Sequence, residues 1–537
     1  MRLTTTAACL LLAATAHAQT ADQDPCEALK QVKLPGVEVR QIVFTKAGAD
    51  VGDLQSAPAF LGKEPAFCRV LLTGHPSEDS SIATEVWLPL AWNGRLRGQG
   101  NGGFAGFLDY PAMAAAVQQG FATVATDTGH RGGTPDFALH HPEKVKDFGW
   151  RAVHEMTVAA KAYAEKLYGK QPLHSYFASC SDGGREALME AERFPADYDG
   201  ILAGAPAWNW TGLVSAAVVK ARQFTDPATA IPAGKIPAIA AAVREACDKL
   251  DGVADGVLND PRTCHFDPAR LQCTAGDGPD CLTAGQVATL RGIYRPTLDQ
   301  FGHEIQPPLL PGAEDGPNGW TQWITGTPRS ESLALFFGRG FYADFVYDRA
   351  DWKLADFNLD RDLKLARGKV GADLDANDPN LKPFTGRGGK LILYHGWNDP
   401  AIPALSTIEF YTQAQAALGA AATDQAIRLY MVPGMKHCGS GPGATSFGQN
   451  GTDARSDPDH DVFAALERWV EAGKAPATIT ATHYKDENPA KGAAFTRPLC
   501  PYPASAVLAG TNPDGTPILV CHGQKDIPTR SPAPAGR

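Results

Sequence analysis

The chain of 537 residues is long enough to bury a large core, as several domains or as one domain with an insertion. With 44% hydrophobic and 20% charged residues, its composition is that of a globular protein. A formal net charge of −10, with no basic run, argues against nucleic acid as a partner.

At the N-terminus, Met1-Arg2 precedes an apolar stretch through Ala14 and then Ala16-His17-Ala18. Residues 1–18 read as a secretory signal peptide with an A-x-A cleavage site. The stretch is too short to span a bilayer, and no later run is long enough, so no membrane anchor is expected after cleavage. Without a twin Arg, the expectation is Sec export to the periplasm or the exterior. Cleavage removes Cys9 and leaves ten cysteines: Cys26, Cys68, Cys180, Cys247, Cys264, Cys273, Cys281, Cys438, Cys500 and Cys521. An even number in an exported chain predicts disulfides; structural zinc is the weaker reading, since no C-x-x-C pair occurs.

Residues 37–125 read as strands and turns, with Thr84–Leu90 and Phe121–Ala125 the clearest strands. Between them, Gly98, Gly100 and Gly103 satisfy G-x-G-x-x-G, the outline of a dinucleotide site. A dinucleotide-dependent oxidoreductase is a distant alternative on three grounds. Residues 93–97 look too polar for a central strand, Pro111 and seven other residues intervene before the next helix, and an exported chain has little access to NAD.

A helix is predicted over 154–168, then a strand from Leu173 to Phe177. Next comes Ala178-Ser179-Cys180-Ser181-Asp182-Gly183-Gly184-Arg185, followed by a helical run over Glu186–Arg193. A Ser in a tight strand-to-helix turn among small residues has the form of a nucleophile elbow, although Ser179 stands where G-x-S-x-G has its first Gly. An ordinary Gly-rich β–α turn accounts for this stretch equally well. The strand Ile201–Ala203 follows, and the alternation implies a mostly parallel sheet covered by helices.

Residues 208–385 break the pattern and read as an inserted lid. Within it, Asp248-Lys249-Leu250-Asp251-Gly252-Val253-Ala254-Asp255-Gly256-Val257 sets carboxylates at short spacing, which suits a hard cation such as Ca²⁺. An acidic solvated loop with two Asp-Gly turns explains it as well. The stretch with Trp320, Trp323, Phe336, Phe337, Phe341, Tyr342, Phe345 and Tyr347 is rich in aromatics and is expected to give some walls of an aryl pocket.

The core pattern resumes with strand Lys390–Tyr394, helix Leu405–Leu418, strand Arg428–Val432 and helix Asp461–Ala472. The first strand runs into Asp399 and the second into His437. Ser, then Asp, then His, with acid and base after late strands, is the order of an α/β-hydrolase triad. The expected roles are Ser181 nucleophile, His437 base and Asp399 orienting acid, with an oxyanion hole from the Asp182 amide and that of Gly102 or Gly103.

With Cys180-Ser181, Asp399 and His437-Cys438 together, nearly the whole mature chain resembles the tannase and feruloyl esterase family, which also includes mono(hydroxyethyl) terephthalate hydrolases. The resemblance implies an α/β-hydrolase fold with a large inserted lid domain. Its parts are core over 19–207, lid over 208–385, and core again over 386–537. It implies disulfides Cys26–Cys68, Cys180–Cys438, Cys247–Cys264, Cys273–Cys281 and Cys500–Cys521. It also implies a structural Ca²⁺ held by Asp248, Asp251, Asp255 and the carbonyls of Val253 and Val257, and no organic cofactor. The expected activity is hydrolysis of small aromatic esters, feruloyl esters first, with galloyl esters or aryl diacid monoesters as alternatives. Ile402 stands where the terephthalate-ester enzymes carry an aromatic, which argues against the last.

Overall fold

The computed structural model describes residues 24–49, 64–327, 329–449 and 456–523; the expected signal peptide and the Pro-rich tail lie outside these. Among the described residues, nine strands form the central sheet: β1 (Val37–Thr45), β2 (Phe67–Gly74), β3 (Ile82–Pro89), β4 (Arg95–Gln99), β5 (Ala122–Thr126), β6 (His174–Cys180), β7 (Gly200–Gly204), β8 (Lys390–Gly396) and β9 (Ile427–Val432). Their order is β1-β2-β3-β5-β4-β6-β7-β8-β9. The six strands from β5 to β9 run parallel, and β1, β2 and β3 add an antiparallel edge. The expected mostly parallel sheet is therefore mixed. Strands such as β7 and β8 are apolar on both faces because helices cover both sides.

β4 corrects an expectation. Residues 93–97 looked too polar for a central strand, yet β4 lies between β5 and β6. Side chains alternate along a strand, so Arg95 and Arg97 share one face while Leu96 joins the core on the other. Helix Val462–Ala472 supplies what the arginines need. The Arg95 Nε and Nη2 donate to Glu471 at 2.7 Å each, and the Arg97 guanidinium lies 4.0 Å from the Phe463 ring centre. Arg95 and Glu471 stay partly exposed where they pair, while Arg97 is buried with its guanidinium against the Phe463 ring.

The dinucleotide outline still fails. Helix α1 (Tyr110–Gln118) starts seven residues after Gly103, and Asp109 fills its N-terminus by accepting the Ala112 amide at 3.0 Å. A phosphate would meet that carboxylate.

Past the sheet, α2 (Ala152–Tyr168) ends on left-handed Gly169, and α3 (Asp182–Arg193) begins immediately after Ser181 rather than at Glu186. α4 (Trp210–Ala221) opens the insertion. Trp208, Ala376, Leu381 and Phe384, near the two ends of the insertion, pack in the main core with β6, β7 and β8. An aromatic cluster joins Phe341, Tyr342 and Phe345 of the insertion to Phe104, Phe137 and Phe148 of the first segment. This is the α/β-hydrolase arrangement, with the insertion seated on the carboxyl ends of the parallel strands.

Candidate active site

β6 delivers its chain directly into the turn at Ser181, whose backbone sits at φ 69°, ψ −123°. That is a costly conformation for a residue with a side chain, and it persists only where its surroundings fix it. They do so closely. A Cβ on Gly183 would overlap Ser179 Oγ and the Asn101 carbonyl oxygen. One on Gly100 would strike Glu186 and Ser179 from the opposite side. The elbow is thus shaped around Ser179, where the usual motif has Gly.

Two loops at the ends of β8 and β9 complete the group. His437 Nε2 lies 2.9 Å from Ser181 Oγ, and its Nδ1 lies 2.8 Å from Asp399 Oδ2. Asp399 is buried, and its Oδ1 accepts the amides of Ala401 and Ile402 at 2.8 and 2.9 Å. His395, fully buried, comes within 3.3 Å of Asp399 Oδ2, and Thr407 Oγ1 lies 2.7 Å from its Nδ1. Burial opposes the charge on Asp399. The nearby His437, then the hydrogen bond from His395, outweigh it and hold the carboxyl well below its usual range.

All five expected disulfides are formed. Cys180–Cys438 joins the residue before Ser181 to the residue after His437 across 258 positions, with Cα atoms 6.0 Å apart. The insertion holds the same loop from outside. Asn318 Nδ2 donates to the His437 carbonyl at 2.8 Å, Lys436 Nζ donates to the Pro317 carbonyl at 2.8 Å, and the Trp323 ring meets the His437 ring edge-on at 4.8 Å.

The stretch from Gly98 to Gly103, the end of β4 and the loop after it, lies beside the elbow and not at a helix N-terminus. Asn101 is fixed on three sides. Its N–H donates to Glu186 Oε2 at 2.9 Å, its carbonyl accepts the Gly183 amide at 2.9 Å, and its side chain donates to the Thr126 carbonyl at 3.1 Å. Gly102, Gly103 and Asp182 then line the same cavity as Ser181 and His437. Asp182 is the first residue of α3, where helix geometry leaves the N–H without a partner in its own helix. Glu186 and His395 escaped the sequence reading because a buried carboxylate on a helix and a His at a strand end follow no motif.

The cavity has a volume of about 380 Å³. Of the aromatic stretch expected to wall it, Trp323 and Phe337 do so. Trp320, Phe341, Tyr342 and Phe345 are buried in packing clusters instead. Ile402 faces the cavity, while Arg339 pairs with Glu331 at the surface. α4 contributes more of the apolar wall than any other element, through Trp210, Leu213, Val214 and Ala217 among others. The spacing of these residues is the one available signal, but α4 is apolar nearly all round, and periodicity fades in such a helix.

The Asp248–Asp260 loop offers only oxygen donors, a chemistry that fits a hard cation. Its carboxylates bind the loop's own backbone: Asp248 accepts the Gly256 amide at 2.8 Å, Asp251 that of Val253 at 2.9 Å and Asp255 that of Val257 at 3.1 Å. Arg497 Nη2 donates to Asp255 Oδ2 at 2.6 Å. Among the described residues, no three acidic, His or Cys side chains cluster as metal ligands. Although distant in sequence from the triad residues, the loop reaches the His437 loop, because Val257 packs beside Gly434.

Residues 68–514 match the family described as tannase and feruloyl esterase. An uncharacterized esterase of Xanthomonas campestris pv. campestris is 39% identical, covering 95% of this chain and 92% of that protein. A probable feruloyl esterase B-2 of Aspergillus flavus is 36% identical over 81% of this chain and 83% of its own length. Among solved structures, feruloyl esterase B from Aspergillus oryzae superposes with a TM-score of 0.84 at 29% identity, covering 92% of this chain and 99% of that one.

Proposed function

Since the chain belongs to the tannase and feruloyl esterase family and is a carboxylic-ester hydrolase of that type, we propose that Ser181, His437 and Asp399 form its catalytic triad. Its substrates, on this reading, are esters of hydroxylated aromatic acids, feruloyl esters first. The observation that carries the reading is the chain of contacts from Ser181 Oγ through His437 to Asp399, at 2.9 and 2.8 Å.

Ser181 Oγ attacks the acyl carbon while His437 Nε2 takes its proton. Asp399 holds the imidazole in the tautomer that leaves Nε2 free to accept, and balances the imidazolium that forms. The oxyanion meets the amides of Asp182 and of Gly102 or Gly103. His437 then protonates the leaving alcohol, and water releases the acid by the same route. Apolar walls and aromatic edges in the cavity suit a planar aryl group.

Two further parts belong to the proposal. Asp248, Asp251 and Asp255, with the carbonyls of Val253 and Val257, would hold a structural Ca²⁺ once the carboxylates turn from the loop amides and Arg497 that they now meet, and the ion would stiffen the lid and take no part in the chemistry. The oxygen-only donor set supports this, and Arg497 competes for Asp255. The protein is exported by the signal at residues 1–18, which the five disulfides support, since such bonds persist in oxidising compartments.

The test is kinetic. Methyl ferulate, propyl gallate, a terephthalate monoester and p-nitrophenyl acetate are compared as substrates, with methyl ferulate expected to give the highest kcat/KM. Ser181→Ala and His437→Ala should each lower kcat by roughly four to six orders of magnitude, and the double variant should be no worse than either. Substantial turnover by Ser181→Ala would sink the mechanism.

A further inference from the structure

The cavity beside Ser181 follows one helix. The Ala207 amide donates to the Ser181 carbonyl at 3.2 Å, and α4 starts three residues later. Trp210, Leu213, Val214 and Ala217 face the cavity, and so does Lys220 in the last turn. At 1.5 Å per residue, Lys220 lies about 15 Å along the axis from Trp210. α4 therefore runs away from the nucleophile along an apolar wall and ends on an amine.

That amine is not a surface group. Lys220 is only 8% exposed, and Nζ donates to the carbonyls of Ile293 and Arg295 at 3.0 and 3.3 Å. Two of its three donor positions are occupied. Burial lowers its pKa to about 7, with the Glu304 charge opposing. Gln306 lines the same cavity from the strand Glu304–Gln306, which packs against α4. It is 3% exposed, and its Oε1 has no hydrogen-bond partner among the described residues. Gln306 pairs in register with Thr297, two residues past the Arg295 carbonyl that Lys220 meets, and an unpartnered buried amide oxygen in the same wall as a buried amine is expensive unless something polar meets it.

We propose that Lys220 and Gln306, two buried polar side chains in the cavity wall outside the Ser181 and His437 group, bind the ring hydroxyl of a hydroxylated aryl acid. The inference rests on the aryl-ester reading above and adds the group that sets its selectivity. A phenol suits both partners. An ammonium donates to its oxygen, a neutral amine accepts its proton, and the Gln306 amide can do either. The long apolar wall between elbow and amine favours an acid whose hydroxyl stands opposite its carboxyl, on a rigid extended frame such as hydroxycinnamate.

Methyl ferulate and methyl 3-methoxycinnamate differ only in that hydroxyl. The readout is the ratio of their kcat/KM values in wild type, Lys220→Met and Gln306→Leu. Wild type should favour the hydroxylated ester by about ten- to a hundredfold, and either variant should bring the ratio towards one. A purely structural role for Lys220 would lower both substrates alike and leave the ratio standing. A wild-type ratio near one, or a ratio unchanged in both variants, overturns the proposal. Gln306→Leu leaves the Lys220 contacts to Ile293 and Arg295 intact, so it decides the matter if Lys220→Met fails to fold. Calorimetric binding of free ferulic and 3-methoxycinnamic acids applies the same comparison without turnover. If wild type hydrolyses no ester yet binds ferulic acid preferentially, the catalytic reading fails and the pocket stands; equal binding of the two acids removes the pocket.

Discussion

The Asn101 amide meets Glu186 Oε2 at 2.9 Å, so the glycine loop beside Ser181 is held by the helix that starts immediately after Ser181. Glu186 is a positioning residue; it lies behind the loop and is 1% exposed. Glu186→Gln keeps an acceptor for Asn101 and should hold kcat within a few-fold. Glu186→Ala frees the loop and should lower kcat by about ten- to a hundredfold with little change in KM, as expected when an oxyanion donor loses its place. Equal falls in kcat for both variants would remove this role. The same residue marks the pH profile of stability. Burial, then the Asp182 charge, push the Glu186 carboxyl up to about 8. Between its unfolded value of about 4.3 and that value, the fold holds a proton that the unfolded chain has lost. Stability therefore falls as pH rises through this window. Thermal melts should show Glu186→Gln losing less stability than wild type between pH 5 and pH 8. Ser181, His437 and Asp399 were legible because their order and their strand-end positions repeat a known chemistry. Glu186 was not, because its task depends on a loop 85 residues away.

At the scale of elements, apolar strands such as β7 and β8 were readable from composition alone, and β4 was misread for the same reason. Its arginines look exposed until helix Val462–Ala472 is folded over them. Connections between elements left less trace. The bond between the elbow and the His437 loop is the clearest case, since spacing alone could not pair ten cysteines. Closing 258 residues should stabilise the fold by a few kcal/mol in the chain-entropy account, although strain and residual structure reduce such gains. Its larger effect is on position. A Cys180→Ala/Cys438→Ala variant should fold well enough to purify, lose most of its kcat and change KM less. Wild-type kcat in that variant would show that packing alone sets the geometry. The Asp248–Asp260 loop makes a separate prediction. Chelation with EDTA should lower Tm, through loss of a ligand bound only by the fold, with little immediate effect on kcat. An unchanged Tm together with no calcium by elemental analysis would refute the metal.

Over the whole molecule, the insertion is bound into the core at both ends and again above the His437 loop. Trp208 Nε1 donates to the Ser406 carbonyl at 2.9 Å, and the Ala376 amide donates to the Trp208 carbonyl at 2.8 Å. The existence of an insertion was readable from the break in strand pattern after Trp208. Its seating was not, because the contacts join residues between 119 and 198 positions apart. Calorimetry should therefore show one cooperative transition for lid and core together; two resolved transitions would mean that they melt independently.

On the proposed triad and export, the bridge beside Ser181 would also tie activity to the cell's geography. In a reducing cytosol the two thiols stay apart, and the nucleophile and base keep only the alignment that packing gives them. A chain exported as proposed should then be a poor catalyst until oxidation across the membrane forms the bond. Protein made in a reducing cytosol should be slow and should gain turnover on exposure to a glutathione redox buffer, in step with loss of two free thiols at Cys180 and Cys438. Full turnover with those thiols still free would show that the bond does not set the timing of activity.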